Sequence, residues 1–471
     1  MKCKSRFFRF YKLVLHIILM HYIDLQQCSS SERINILDES TTEHHFINWI
    51  QTQRNGAWIS NSVTIQHFTM YGYGLVAKRN VKMNEPLFRI PSSIIQSSDT
   101  FKQQYTAMVP DFEENIEILL GNFSSLERQD IFLALHLMNE CTLYDTSHYQ
   151  PYLDMLPKHI VPRLDTFDEH ELFLLEDEFL SNIAKDSRSK LETLYHHVDF
   201  QRMMPSRKQR DECTSFSSFH RFVTISSSHS MILNGTKFLV PLADMINHSV
   251  RPDINTPHLF STFHRRNSDG SITVHADRNV VAGDQIFEDY GALDNSLFLE
   301  AHGFVPSENP FHCAIIESRY LFEFSTVSVG LTDILLGFRM IPSRTTFPDV
   351  CITAEGHIED TRLVNLLRIL SLGLDKEKLD VCTKTKSSKD CIHYDTASEN
   401  VSRLIQKLAG RTYCAKHSSL DEDLEMLESF QANSATLQSE LALKFKIADK
   451  CILSKLSGLG FSHNLCNTTV V

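Results

Sequence analysis

The chain has 471 residues, of which 42% are hydrophobic and 22% charged, so it is long enough for two or three packed units and too apolar to be disordered overall. Its formal charge of −12 argues against a general affinity for nucleic-acid backbone and fits better with a basic protein segment as partner. Its 11 cysteines include no C-x-x-C or C-x-C pair, so no zinc-binding spacing is present and no metal site is expected.

The first thirty residues pose a question of address. Lys2, Lys4, Arg6, Arg9 and Lys12 form a basic start, followed by an apolar run from Leu13 to Ile23, and no acidic residue occurs before Asp24. A run of this length is too short to span a bilayer, which takes about 20 residues, so no stable membrane span is expected. Two readings stay open. Residues 1–30 are a cleaved secretory signal or an organelle presequence, or else a plain extension on a cytoplasmic or nuclear protein. Sequons at Asn122, Asn234, Asn247, Asn400 and Asn467 do not decide between them, because Asn247 falls inside a motif where a glycan has no room.

From His44 onward the pattern is that of a compact unit. Phe46 to Ile50 predicts an amphipathic helix, and Val63-Thr64-Ile65 and Leu75-Val76-Ala77 predict strands on either side of Gly72-Tyr73-Gly74. Pro86 to Pro91 predicts a third strand, and a proline at each end suits a position near a sheet edge. Leu126 to Cys141 is apolar on nearly every side, as a helix packed between two layers is. Residues 201–218, with Arg202, Arg207, Lys208 and Arg210, predict an exposed loop. Strand signals return at Lys237–Pro241, Ser271–His275 and Gln285–Phe287. Beyond about Phe311 the chain is predicted mostly helical, with a polar loop over 383–400 and a capping box at Ser419 to Glu422. Leu441, Phe445, Ala448, Ile452 and Leu456 then fall on one helical stripe.

Two short blocks carry the chemistry. The first is Asp244-Met245-Ile246-Asn247-His248, where polar side chains follow an apolar run and are costly to bury unless hydrogen-bonded. The second runs from Gly283 through Glu288-Asp289-Tyr290-Gly291 to His302-Gly303-Phe304-Val305. The upstream glycine turn permits close backbone approach to a ligand. In this order the three elements resemble the catalytic half of a SET-domain methyltransferase. The split-SET branch typified by the Rubisco large-subunit methyltransferase is the most similar, and Gln150-Pro151-Tyr152-Leu153 with Leu156-Pro157 is similar to its "PYL…LP" segment.

The resemblance implies an α+β fold. A β-rich SET domain over residues 44–311 would be split by a helical insert at about 101–225, and a mostly helical substrate-binding lobe would follow over 312–465. It implies S-adenosyl-L-methionine as cofactor, transfer of a methyl group to a lysine of a protein substrate, and a monomer. Histidine methylation is the alternative within the same architecture, and a catalytically silent peptide-binding protein the alternative outside it. By resemblance Tyr71, Gly72 and Tyr73 contact the cofactor, as do Asp244, Asn247 and His248, while Tyr290 is the catalytic tyrosine that orients the sulfonium. Phe304 and His302 would wall the substrate channel. Two departures from the family stand out. His302 replaces a tyrosine, and His229, after Ser226-Ser227-Ser228, replaces an arginine that reaches the cofactor's carboxylate. A histidine there would make a weaker, pH-dependent contact.

Overall fold

The computed structural model describes residues 41–458, apart from 55, 69–71, 109–119, 144–145, 198–210, 250–261, 277, 307–308, 327–334, 337–340, 342–346, 359, 372–398 and 434. The N-terminal segment 1–30, Tyr71 and most of the two predicted loops at 201–218 and 383–400 therefore lie outside the described residues. Two compact units emerge. The first takes in the described residues up to Val161, those of Ser189–Val250 and those of Thr256–Gly291; the second holds Pro162–Arg188 and the described residues from Ala292 onward.

The first unit opens with helix α1 (Thr42–Gln51), started by the Thr41 side chain, which accepts the His44 amide at 3.2 Å. Phe46 and Ile50, one turn apart, are its buried face. Strands β1 (Trp58–Ile59), β2 (Val63–Phe68), β3 (Gly72–Ala77), β4 (Pro86–Ile90) and β5 (Gln96–Ser97) follow. Helices α2 (Ser125–Leu143), α3 (Gln150–Met155) and α4 (Phe216–His229) come next, then β6 (Met231–Leu233), β7 (Thr236–Leu239), β8 (Asn247–His248), β9 (Thr262–Arg266), β10 (Ile272–Ala276) and β11 (Gln285–Glu288).

The strands form small sheets rather than one large one. Two have four strands each, in the orders β1-β4-β10-β9 and β2-β3-β11-β8, and a third pairs β5, β7 and β6. Strands from before residue 100 thus pair with strands from after residue 226, and the intervening helices are an insertion. β4 is not at an edge, as its two prolines suggested: it lies between β1 and β10. Pro86 is the first residue of the strand and Pro91 lies just past its end, so neither removes a donor from the paired interior.

In α2 nearly every side is buried, including Ile131, Phe132, Leu133, Leu135, Leu137 and Met138, because α4 covers one flank and sheet residues another. A buried ion pair fixes its start to β7, where Lys237 Nζ donates to both Asp130 oxygens at 2.6 and 2.7 Å. The end of the predicted loop is helical instead. Asp211–Thr214 forms one turn, and the Ser215 hydroxyl then caps α4 by accepting the Ser218 amide. A disulfide joins Cys141 in α2 to Cys213 in that turn.

The second unit combines a two-stranded ribbon, β12 (Cys313–Ile316) with β13 (Val350–Thr353), and helices including α5 (Glu399–Cys414), α6 (Leu420–Asn433) and α7 (Leu437–Ser457). The capping box is present: Ser419 Oγ accepts the Glu422 amide at 3.2 Å, and a Glu422 carboxylate oxygen accepts the Ser419 amide at 2.7 Å. Residues 162–188, expected within the insert of the first unit, cluster here, where helix Glu169–Leu175 packs on α7. A second disulfide links Cys313 to Cys351 across the ribbon. The unit also buries a four-membered ionic cluster. Lys446 and Lys450 bind Asp423 at 2.8 and 2.6 Å and Glu176 at 3.3 and 3.4 Å. No helix among the described residues is long and apolar enough to cross a membrane.

Candidate active site

The site is made where two motifs distant in sequence become neighbours. β8 pairs in parallel with β11, Asn247 opposite Phe287 and His248 opposite Glu288, and β11 pairs on its other edge with β3. The Asn-His motif, the strand before Tyr290 and the glycine strand are thus three adjacent strands of one sheet.

Gly74 is a steric requirement of this closure. A Cβ on it would fall 2.4 Å from Gln285 Nε2 and 2.7 Å from Asn247 Nδ2. Those groups stand that close because Asn247 Nδ2 donates to the Tyr73 carbonyl at 3.2 Å, tying the motif to the glycine strand. Gly72 plays the other role. Its φ of +70° is the left-handed region, and a Cβ there would meet nothing within 4 Å, so the backbone borders open space. Tyr73 stacks edge-on against His67, with ring centres 5.1 Å apart.

Tyr290 is anchored at both ends. Its amide donates to His248 Nδ1 at 3.1 Å, so that nitrogen is the unprotonated one, and its hydroxyl donates to the Ile246 carbonyl at 2.8 Å. The two rings lie 5.0 Å apart. Burial, with the charges of Glu288 and Asp244 adding to it, holds the phenol far above its ordinary value. The group is therefore a neutral hydroxyl whose proton is committed to the Ile246 carbonyl.

Between Tyr290 and the insert lies the turn Ala243–Met245, entered through Leu242, a buried residue held at φ +73° and ψ −40°. A non-glycine residue rarely occupies that region and pays for it in strain. Three bonds fix the turn. Tyr152 of α3 donates its hydroxyl to Asp244 Oδ2, His229 Nδ1 at the end of α4 donates to the Asp244 carbonyl at 3.1 Å, and Tyr290 holds Ile246. Burial pushes the Asp244 carboxyl up to about 8 and the His229 imidazole down to about 4. His229 is thus a neutral ring that holds the main chain. The pH-dependent cation expected from the sequence is corrected by its desolvation.

The expected site residues divide in a simple way. Gly72, Tyr73, His229, Asp244, Asn247, His248 and Tyr290 all belong to the first unit, and all but Gly72 take part in the bonds just given. His302 and Phe304 belong to the second, where they cluster with Phe298 at ring distances of 5.1 to 6.1 Å. Tyr71 lies outside the described residues. Two contributors escaped the sequence reading. One is Tyr152, visible there only as part of the "PYL" segment, and the other is Glu288, whose carboxylate meets His264 Nε2 at 3.1 Å. In the second unit the Cys313 and Cys351 sulfurs and an Asp294 oxygen lie within 4.8 Å of one another. The two sulfurs are bonded to each other and so are not thiolate ligands.

Residues 72–291 match the SET domain family. The chain carries a SET domain. It is similar to the N-lysine methyltransferase setd6 of Salmo salar, 23% identical over 363 residues, covering 70% of this chain and 74% of that one. The actin-histidine N-methyltransferase of Danio rerio is 23% identical over 253 residues, covering 52% of this chain and 39% of that one. Among solved structures, Rubisco LSMT bound to AdoMet superposes with a TM-score of 0.59 at 16% identity, covering 89% of this chain and 91% of that one. The SET fold, α+β, is common to both. The SET residues present also fit an S-adenosylmethionine cofactor. Gly72 leaves open space beside its backbone, and two buried polar atoms, Ser226 Oγ and Asp244 Oδ1, have no hydrogen-bond partner among the described residues.

Proposed function

We propose that the protein is an S-adenosylmethionine-dependent protein N-methyltransferase that acts as a monomer on a lysine side chain. The observation that carries this reading is Tyr290, half-buried, neutral and held by its hydroxyl on Ile246 and its amide on His248. When bound, the cofactor supplies an electrophilic methyl group on a sulfonium. Gly72, Tyr73, Asn247 and His248 would hold it. The chain's own residues then do three things. Asn247 and His248 lock the strands that frame the site, Tyr290 holds its hydroxyl oxygen at a fixed place without giving up its proton, and Leu242, Ile246 and Met245 exclude water. The phenol is too weak an acid to serve as base. An acceptor lysine, whose ordinary pKa is about 10.4, has to lose its proton through burial beside a cation.

Histidine is the second acceptor to consider, because the chain is also similar to an actin-histidine methyltransferase. One experiment tests both readings. The full chain is incubated with radiolabelled cofactor and whole lysate, and the labelled peptide is mapped by mass spectrometry. Methyl-lysine is expected. Methyl-histidine would transfer the assignment to the second acceptor, and cofactor binding without any labelled product would favour a silent peptide-binding protein.

The disulfides Cys141–Cys213 and Cys313–Cys351 support a proposal about location. Such bonds persist in oxidising compartments and are rare in the cytosol, so we infer entry into the secretory pathway with residues 1–30 as the signal. Intact-mass measurement of native protein after thiol alkylation is expected to show a chain beginning near Ser29 to Glu32 with these four cysteines unmodified. A chain retaining Lys2 and Lys4, with alkylated Cys141 and Cys213, would place the protein elsewhere.

A further inference from the structure

Asp244 is the oddity of the site. The residue is half-buried and its Oδ1 is shut off from solvent, yet among the described residues no ammonium or guanidinium pairs with the carboxyl. One oxygen accepts the Tyr152 hydroxyl, and the other, Oδ1, is buried without a partner. The titratable groups around it come from four elements: Tyr152 of α3, His229 of α4, His248 of β8, and Glu288 with Tyr290 at the end of β11. None is a cation at neutral pH in this arrangement. Burial keeps His229 neutral, and His248 Nδ1 is taken up as an acceptor. The lost hydration of a desolvated charge outweighs the Tyr152 phenol and the residue's own amide, which favour the carboxylate, so the uncharged acid is favoured, in line with its displacement to about 8. The same carboxyl is close enough for its charge to be felt at the Tyr290 hydroxyl, the group read above as orienting the sulfonium.

We propose that Asp244 is a proton-gated counter-ion for the cationic cofactor, a neutral acid in the empty site that releases its proton to solvent and pairs as a carboxylate when a sulfonium enters. The inference rests on the reading of this site as the S-adenosylmethionine site. The proton count balances. Binding expels one proton from Asp244, and methyl transfer to a neutral amine moves the positive charge from sulfur to nitrogen without removing it. The carboxylate therefore keeps a cationic partner until the methylated residue leaves, and Asp244 is then re-protonated. The demethylated cofactor, a neutral thioether, is not held by this term. A carboxyl buried without a cation partner thus selects substrate cofactor over spent cofactor.

The test is calorimetric titration of the full chain with S-adenosylmethionine and, separately, S-adenosylhomocysteine, each in buffers of low and high ionisation enthalpy. Near pH 7 the sulfonium is expected to release a large fraction of a proton that the thioether does not. Raising the pH from about 7 to about 9 should strengthen sulfonium binding about tenfold more in the wild type than in Asp244→Asn, and lowering it should weaken binding, because a protonated Asp244 must first be discharged. Asn keeps the bond from Tyr152 and cannot ionise, and protons from the ligand's own amine appear equally in both proteins. The wild type alone gives a second reading, since proton release should vanish well above pH 8. Equal proton release in wild type and Asp244→Asn, or release unchanged at high pH, would overturn the inference while leaving the cofactor site in place. Failure of both ligands to bind would overturn the cofactor reading itself, and the inference with it.

Discussion

Tyr290→Phe is expected to slow methyl transfer by about 10- to 100-fold, or about 1.4 to 2.8 kcal/mol in the barrier, with little change in cofactor affinity. The ring volume is retained, and the contact with His248 at 5.0 Å and the amide bond to its Nδ1 do not involve the hydroxyl. What is lost is the hydroxyl proposed to orient the sulfonium, together with its bond to Ile246, whose buried carbonyl then lacks this donor at a stability cost of about 1–3 kcal/mol. Asn247→Ala should behave in the opposite way. It removes the donor to the Tyr73 carbonyl and so loosens the strand that would hold the cofactor, weakening binding itself. Calorimetric affinity measured beside methylation rate separates the two. Wild-type turnover in Tyr290→Phe would remove that residue from the mechanism.

Much of this arrangement can be seen in the sequence because its signals are local. The alternation at 63–65 and 272–275 and the apolar run at 75–77 mark strands, and glycines at 72 and 74 are placed where a left-handed φ and a close approach are needed. What escaped depends on contacts between distant residues. Nothing local in Pro86–Ile90 says which strands flank it, so its inner position could not be read. Tyr152 lies 92 residues from Asp244 and looks like an ordinary helix residue until the fold brings them together. His229 looks titratable in a sequence, and only its burial makes it a fixed neutral ring. The disulfide pairing was hidden for the same reason, since Cys141 and Cys213 are separated by 72 positions with no motif between them.

The largest loss of stability is expected in the second unit, from Lys450→Met. Asp423 and Lys450 are fully buried, and Lys446 and Glu176 nearly so, with two negative charges facing two positive ones. Burial pushes the Lys450 ammonium down; it also works against the Glu176 charge, yet Lys450 and Lys446 hold that carboxyl below its ordinary value. Removing one ammonium leaves two carboxylates to share Lys446 in a buried site. The cost of breaking such a pair is about 3–5 kcal/mol, visible as a fall in the denaturant midpoint. Adding Glu176→Gln to Lys450→Met restores the charge balance, so the double variant should be more stable than the sum of the two single effects predicts. Strict additivity would mean that the four groups do not act as one cluster.

The pairing of Leu75 with Ile286 also says something about the order in which the protein can be made. During synthesis the glycine strand emerges more than two hundred residues before the strand that lies beside it. Until that later strand appears, an edge of β3 has only water to bind, and such an edge invites pairing with other chains. Closing so long a loop is slow in an extended chain. The helices α2 and α4, which pack on each other, shorten the search if they collapse first, and the disulfide from α2 to the turn just before α4 then holds them. A ribosome-bound chain that ends before Gln285 would hold the whole glycine strand and still lack the strand that closes its open edge.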